Sequence, residues 1–280
     1  MSQSWAAALD AAAAARVTLV LGATDAGKTT LVTRLASALA GAGHAVAVVD
    51  ADLGQSDVGP PTTVGLGRVR RPIDRLDEAD LVALEFLGVT SPSRCLRGTA
   101  EATARLVRHA LELGCDRVLV DTSGLVAGPL GLALKRQKID RVAPDVLVVL
   151  QRAGECEPVL RAAAGVPGRV TIRLAAVTPA RRSTATRRQA RRRALQAHLA
   201  GAAPVTLDLA RVAVRPVPAA RGLGLAAGVL VALEGRDGRT LGLGWVLGTD
   251  TAAARLVVNT PVDAARIAAV AFGCEHYGAA

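Results

Sequence analysis

The string Gly22-Ala23-Thr24-Asp25-Ala26-Gly27-Lys28-Thr29 constrains this chain more than any other feature. It satisfies GxxxxGK[ST] in full, between an apolar run, Val17–Leu21, and an amphipathic segment, Leu31–Ala40. Such a loop works at a strand-to-helix turn. Its glycines let successive backbone N–H groups face a polyphosphate, and the helix N-terminus adds the positive end of its dipole. Lys28 is expected to reach the β- and γ-phosphates and the Thr29 hydroxyl to ligate Mg²⁺, so the nucleotide-binding set runs from Gly22 to Thr30. The guanine-reading pattern [NT]KxD has only Gln137-Lys138-Ile139-Asp140 as a near match, with the wrong first residue and ahead of a strand. Ala23 stands where partition-type ATPases carry a second lysine. ATP is therefore the expected nucleotide.

Around this loop the chain alternates short β-branched runs with longer Ala/Leu/Arg segments, the rhythm of a parallel sheet covered by helices. Strands are expected at Val17–Leu21, Ala45–Asp50, Arg117–Asp121, Asp145–Leu150 and Val170–Leu174. Helices are expected at Leu31–Ala40 and Glu101–Leu113, each closed by a glycine, and over the Arg-rich stretch Pro179–Ala200. Beyond Pro204 the texture changes. Val205–Val217 alternates loosely, and Gly222–Leu233 and Thr240–Leu247 flank the turn Glu234–Arg239, as in antiparallel hairpins. The expected fold is thus α/β: a P-loop kinase-type parallel sheet with flanking helices and an Arg-rich lid near 179–200, in a domain over 1–203. A small β-rich domain over 204–280 follows.

Composition narrows the function classes. Aromatic residues are 2% of the chain, so the core must be built from Ala, Val and Leu, and few rings are available to stack on bases. The net charge of +10 fits a polyanionic partner such as nucleic acid, and equally a soluble basic protein. Cys95, Cys115, Cys156 and Cys274 are scattered, with no CxxC pair, which argues against a zinc site or a disulfide framework and for a reducing, cytoplasmic setting. Met1–Ala15 lacks a basic leader and is broken by Asp10, and the longest apolar run, Gly222–Leu233, is too short to span a bilayer, so no membrane association is expected.

After the second expected strand comes Asp50-Ala51-Asp52-Leu53-Gly54-Gln55. If the chain stays extended, Asp50 and Asp52 point the same way, toward phosphates bound at the carboxyl edge of the sheet. One carboxylate can hold Mg²⁺ or its water, and the other can accept a proton from an attacking hydroxyl. Two loop aspartates capping a helix would read the same in sequence. Further on, Arg187 and Arg191 lie four apart on one helical face, with Arg182 on the preceding turns. That cluster suits closure over ATP, or a solvated basic face.

These strings resemble the polynucleotide 5′-hydroxyl kinase family, which includes the kinase subunit of the pre-mRNA 3′-end cleavage machinery and a ribosomal-RNA-processing kinase. The acidic–Gln string continues as Ser56-Asp57-Val58-Gly59-Pro60-Pro61-Thr62-Thr63. Asp121-Thr122-Ser123-Gly124 is similar to the family's clasp, Pro144–Glu155 to a typical strand and loop, and Arg182–Arg191 to its lid. The resemblance implies transfer of the γ-phosphate of ATP, with Mg²⁺, to the 5′-hydroxyl end of RNA or DNA. It implies Asp50 as first candidate for the base and Asp52 as co-candidate for base or Mg²⁺ shell. Lys28, Arg182, Arg187 and Arg191 would stabilise the transition state, and Gln55, Thr122, Ser123 and Gly124 would contact the substrate end. An aromatic residue often follows the clasp glycine in that family, and Leu125 stands there here. A catalytically silent ATP-binding scaffold in an RNA-processing complex and a regulatory ATPase switch are the alternative functions. No protein partner is named by the sequence. Lys135 and Lys138 read as a solvated helix face, with a substrate channel as the other option.

Overall fold

A computed structural model describes residues 4–165, 167–176 and 183–277. Seven strands form the first sheet: β1 (Val17–Gly22), β2 (Val46–Ala51), β3 (Thr63–Val69), β4 (Asp80–Phe86), β5 (Arg117–Thr122), β6 (Val146–Gln151) and β7 (Val170–Ala175). Their order is β4-β3-β2-β5-β1-β6-β7. The run from β2 to β7 is parallel, and β3 and β4 extend one edge in antiparallel sense. Every expected strand of this sheet lies within a residue of where the sequence placed it.

Side chains alternate across the sheet and separate two cores. Leu19, Leu21, Val49, Val120 and Val149 face α3 (Leu96–Glu112) and α4 (Gly128–Val142). Val20, Val48, Leu119 and Val148 face α1 (Trp5–Ala14) and α2 (Lys28–Gly41). Both cores are mostly Ala, Val and Leu, as a chain nearly without aromatics requires. A short helix, α5 (Glu157–Ala162), precedes β7.

Sequence periodicity gave no hint of β3 and β4. β3 carries Gly65 and Gly67, which read as breakers, yet both are demanded by close packing: a Cβ at Gly65 would collide with the Val58 carbonyl, and one at Gly67 would sit 2.9 Å from the Val58 side chain. Gly65→Ala is expected to cost about 1–3 kcal/mol, read as a lowered midpoint in urea at unchanged slope.

The arginine-rich helix, α6, is described over Thr184–His198, with Ser183 capping it by accepting from the Thr186 amide at 3.1 Å. The expected stretch 179–182, Arg182 included, lies outside the described residues. α6 buries Leu195 and Leu199 in the core of a second sheet of six strands: β8 (Ala203–Asp208), β9 (Ala213–Pro216), β10 (Val229–Glu234), β11 (Thr240–Asp250), β12 (Arg255–Thr260) and β13 (Ala269–His276). Its order is β8-β12-β11-β10-β13-β9, antiparallel except for β13 with β9. The hairpin around Glu234–Arg239 is present, but its first strand begins only at Val229, after a turn at 227–228. The two sheets touch backbone to backbone at Gly88 and Gly273, where the Cys274 amide donates to Gly88 O at 2.8 Å.

Candidate active site

The carboxyl ends of β1, β2 and β5 meet at one edge, and each delivers a loop with chemistry. The first is the phosphate loop. Gly22 has no room for a side chain, since a Cβ would approach Leu150 O at 2.8 Å. Gly27 adopts φ +90° and opens α2. Asp25 is also left-handed, at φ +57°. The Lys28 ammonium is buried over this loop and donates to Ala23 O at 2.8 Å.

Thr29 Oγ1 donates to Asp121 Oδ2 at 2.6 Å. Asp121 closes β5, is 2% exposed, and its Oδ1 is buried with no partner. Burial raises the Asp121 pKa, with Lys28 and the Thr29 hydroxyl opposing. Asp121 was not among the site residues expected from the sequence. Its signal was there all the same: Val118–Val120 is an apolar strand ending in an acid, beside the strand of the phosphate loop.

The acidic pair behaves differently from the expectation. β2 ends at Ala51, and the next residues fold back over Asp50, so the two carboxylates do not share one task. Asp50 is 1% exposed. It accepts from the amides of Asp52 (3.0 Å), Asp57 (2.7 Å) and Val58 (3.1 Å) and from Ser56 Oγ (3.3 Å). Burial, with the neighbouring Asp121 charge, pushes its carboxyl well above the usual range. Asp50 is therefore the hub of the loop, with both of its oxygens accepting from the loop's own donors. Asp52 is half-buried and uses Oδ1 to accept from the Gly54 and Gln55 amides, both at 3.1 Å, leaving Oδ2 uncommitted among the described residues.

The clasp sits against the phosphate loop, because a Cβ at Gly124 would clash with Thr24. The side chain of Thr122 is fully buried, donating to Val20 O at 2.7 Å and accepting from Lys135 Nζ at 2.9 Å, so it cannot contact a substrate end as expected. Ser123 is buried with its Oγ unpartnered, and Leu125 is half-buried. Gln55 Nε2 donates to Gly54 O at 2.6 Å and to Arg187 O at 3.3 Å, joining the acidic loop to α6. Arg187 in turn forms an ion pair with Asp25 at 2.6 Å. Arg191 lies on the same inward face with a buried, unpartnered Nε, whereas Arg188, Arg192 and Arg193 are exposed. Arg152 reaches the loop from the other side, donating to Asp25 O at 3.0 Å.

Residues 22–201 match the family model described as mRNA cleavage and polyadenylation factor CLP1 P-loop. The chain belongs to the CLP1 P-loop family. Among curated relatives, this CLP1-family chain is 39% identical over 144 residues to a polyribonucleotide 5′-hydroxyl-kinase of Thermococcus kodakarensis, covering 51% of the chain and 40% of that protein. It is 36% identical over 143 residues to a like-named protein of Methanocaldococcus jannaschii, covering 51% and 39%, and 32% identical over 120 residues to Clp1 of Xenopus tropicalis, covering 39% and 27%. The chain thus matches about 40% of the length of the archaeal relatives and 27% of the Xenopus protein. A solved Clp1p–Pcf11p complex superposes with a TM-score of 0.74 at 14% identity, over 92% of this chain and 74% of that one, which establishes the shared fold.

Lys135 and Lys138 overturn the solvated-face reading: both are fully buried on α4 of this CLP1-family fold. Lys135 Nζ donates to Thr122 Oγ1 and Ser123 O, and Lys138 Nζ to Ala51 O at 3.0 Å. Burial pushes the Lys138 ammonium down to about 8 from 10.5, opposed by the charges of Asp52, Asp50 and Asp121. Between those two pH values the unfolded chain holds a proton that the folded chain has released, so this lysine's contribution to stability rises with pH. The Tm of the wild type, relative to Lys138→Met, is expected to rise as pH goes from about 7.5 to about 10. A difference flat across that range would contradict the burial argument.

Proposed function

We propose that this chain is an ATP-dependent polynucleotide 5′-hydroxyl kinase, with residues 1–203 as the kinase unit and 204–280 as a small β-rich unit. The observation that carries the reading is convergence. Lys28 and Thr29 from the phosphate loop, Asp52 from the acidic loop, Asp121 from β5 and Arg187 from α6 meet at one sheet edge. The names of the curated relatives supply the reaction class, and the basic net charge suits a polyanionic substrate.

The residues present fit Mg²⁺. Among the described residues, no group of three or more His, Cys, Asp or Glu side chains could hold a metal alone. Mg²⁺ instead takes one or two protein oxygens plus phosphates and water. The Thr29 hydroxyl and the orphaned Asp121 Oδ1 supply that minimum, with Asp52 beside them. When bound, the ion would neutralise charge on the β- and γ-phosphates.

In the reaction the 5′-oxygen attacks the γ-phosphorus in line. The new O–P bond forms as the bond to the β–γ bridging oxygen breaks, ADP departs, and the hydroxyl proton passes to a carboxylate. We assign that carboxylate to Asp52, because the oxygens of Asp50 are already engaged by loop amides. Lys28 and the inward arginines Arg187 and Arg191 would offset charge on the transferred group, and Ser123, Gly124 and Gln55 would hold the substrate end. With Leu125 beyond the clasp, grip rests on backbone and phosphate contacts instead of base stacking. A cytoplasmic setting fits four free cysteines and the lack of any helix, among the described residues, apolar and long enough to cross a membrane.

ADP release should be stimulated by an oligonucleotide with a 5′-hydroxyl and not by the same oligonucleotide with a 5′-phosphate. Release that ignores both ends but responds to an added protein would instead favour the ATPase switch.

A further inference from the structure

The chain has 34 basic residues among Lys and Arg, and its lysines are only Lys28, Lys135 and Lys138. All three are buried, at 7%, 0% and 0% exposure; the charge of Asp121 acts on all three, and that of Asp52 on Lys135 and Lys138. The first is accounted for by the phosphate loop. The other two are not used by any step described above.

Their cost is plain. Taking an ammonium out of water carries a penalty of several kcal/mol, even after relaxation. Neither Lys135 nor Lys138 has a carboxylate within ion-pair distance among the described residues. They occupy apolar-stripe positions of α4, whose buried face is Gly131, Leu134, Lys135, Lys138, Ile139 and Val142. A methionine in either place would fill the stripe without the desolvation cost. Stability alone therefore does not explain the two lysines.

What each ammonium touches does. Lys138 holds the carbonyl of Ala51, the residue between Asp50 and Asp52, at the point where β2 gives way to the acidic loop. Lys135 holds the Thr122 hydroxyl and the Ser123 carbonyl, at the point where β5 gives way to the clasp. Gly124, the next residue, rests against Thr24 of the phosphate loop. One rigid helix thus fixes the spacing between the loop that carries the base and the loop that meets the phosphates. A compact ammonium on a long stem fits these narrow sites, where a planar guanidinium would need more room and more acceptors.

We propose that Lys135 and Lys138 are positioning residues for phosphoryl transfer, tethering the clasp and the acidic loop to α4. This rests on the kinase reading. Neither lysine touches ATP or the substrate end; both act through the loops they hold.

The test uses the full chain with Lys138→Met, Lys135→Met and, as a second replacement that keeps an N–H donor, Lys138→Gln. Transfer to a 5′-hydroxyl oligonucleotide is measured with ATP-Mg²⁺, together with Tm and amide hydrogen exchange. For Lys138→Met, kcat should fall at least about tenfold while KM for ATP stays within about threefold, since a misplacement near 1 Å at a reacting group costs on that order. Exchange should accelerate at Gly54 and Gln55, whose amides donate to Asp52, and Tm should not fall. Lys135→Met should do the same with faster exchange at Ser123 and Gly124. Unchanged kcat overturns the proposal, and so does a joint loss of kcat, ATP affinity and Tm, which marks a merely structural lysine. If Lys138→Met does not fold, Lys138→Gln decides by the same criteria. If the wild type transfers no phosphate, the kinase reading fails by itself, and unchanged exchange at Gly54, Gln55, Ser123 and Gly124 then overturns the tether separately.

Discussion

Asp52→Asn should lower kcat by about 10²–10⁴-fold, the usual contribution of a positioned general base, with ATP binding within about threefold of the wild type. Asparagine can still accept from the Gly54 and Gln55 amides through its carbonyl oxygen, so the turn survives. What is lost is the second oxygen as a proton acceptor. Asp50→Asn has a different signature. Its carboxylate gathers three amides and a hydroxyl, and an amide nitrogen in place of one oxygen would face donors with a donor. The loop should loosen and Tm should fall, with activity falling through misplacement of Asp52. Rates, ATP affinity and Tm measured on both variants separate the two aspartates. A catalytic loss in Asp50→Asn at full stability, with Asp52→Asn active, would return the base to Asp50.

Arg187→Ala should lower kcat by roughly 10³-fold, the low end of what a transition-state arginine contributes in phosphoryl transfer. The geometry supports the size of the effect. Arg187 stands across the phosphate loop with its guanidinium on Asp25 at 2.6 Å, and its carbonyl is held by Gln55. The end of α6 is fixed independently, by Leu195 and Leu199 in the core of the second sheet. Removing one side chain should therefore leave the helix in place. The exposed arginines of the same helix, Arg188, Arg192 and Arg193, serve as controls. Their removal should weaken oligonucleotide binding in a salt-dependent way while kcat holds. Saturation kinetics at two salt concentrations make the comparison. Equal kcat losses at Arg187 and Arg188 would reduce the lid to a general basic patch.

The parts of the site legible in sequence are those whose chemistry requires neighbouring residues. The phosphate loop needs its glycines, Lys28 and Thr29 in fixed order, so eight positions specify it. The inward face of α6 was legible because Arg187 and Arg191 recur at helical spacing. Asp121 was harder: it meets Thr29 across 92 positions of chain, and only strand order brings them together. The fold-back of the acidic loop over Asp50 was not legible, because period-two alternation fails once the chain turns at Asp52, one residue past the end of β2. Lys135 and Lys138 were misread for a simpler reason. Lysine is ordinarily a surface residue. Yet their spacing with Leu134, Ile139 and Val142 already put them in the apolar stripe.

Phosphate is expected to move from ATP to a 5′-hydroxyl end. The most direct measurement incubates the chain with γ-labelled ATP, Mg²⁺ and matched RNA and DNA oligonucleotides, with Lys28→Ala alongside. Label should appear on 5′-hydroxyl ends, be absent from 5′-phosphorylated controls, and vanish with the variant. ATP binding without any label transfer would contradict the account and leave an ATP-binding scaffold in its place.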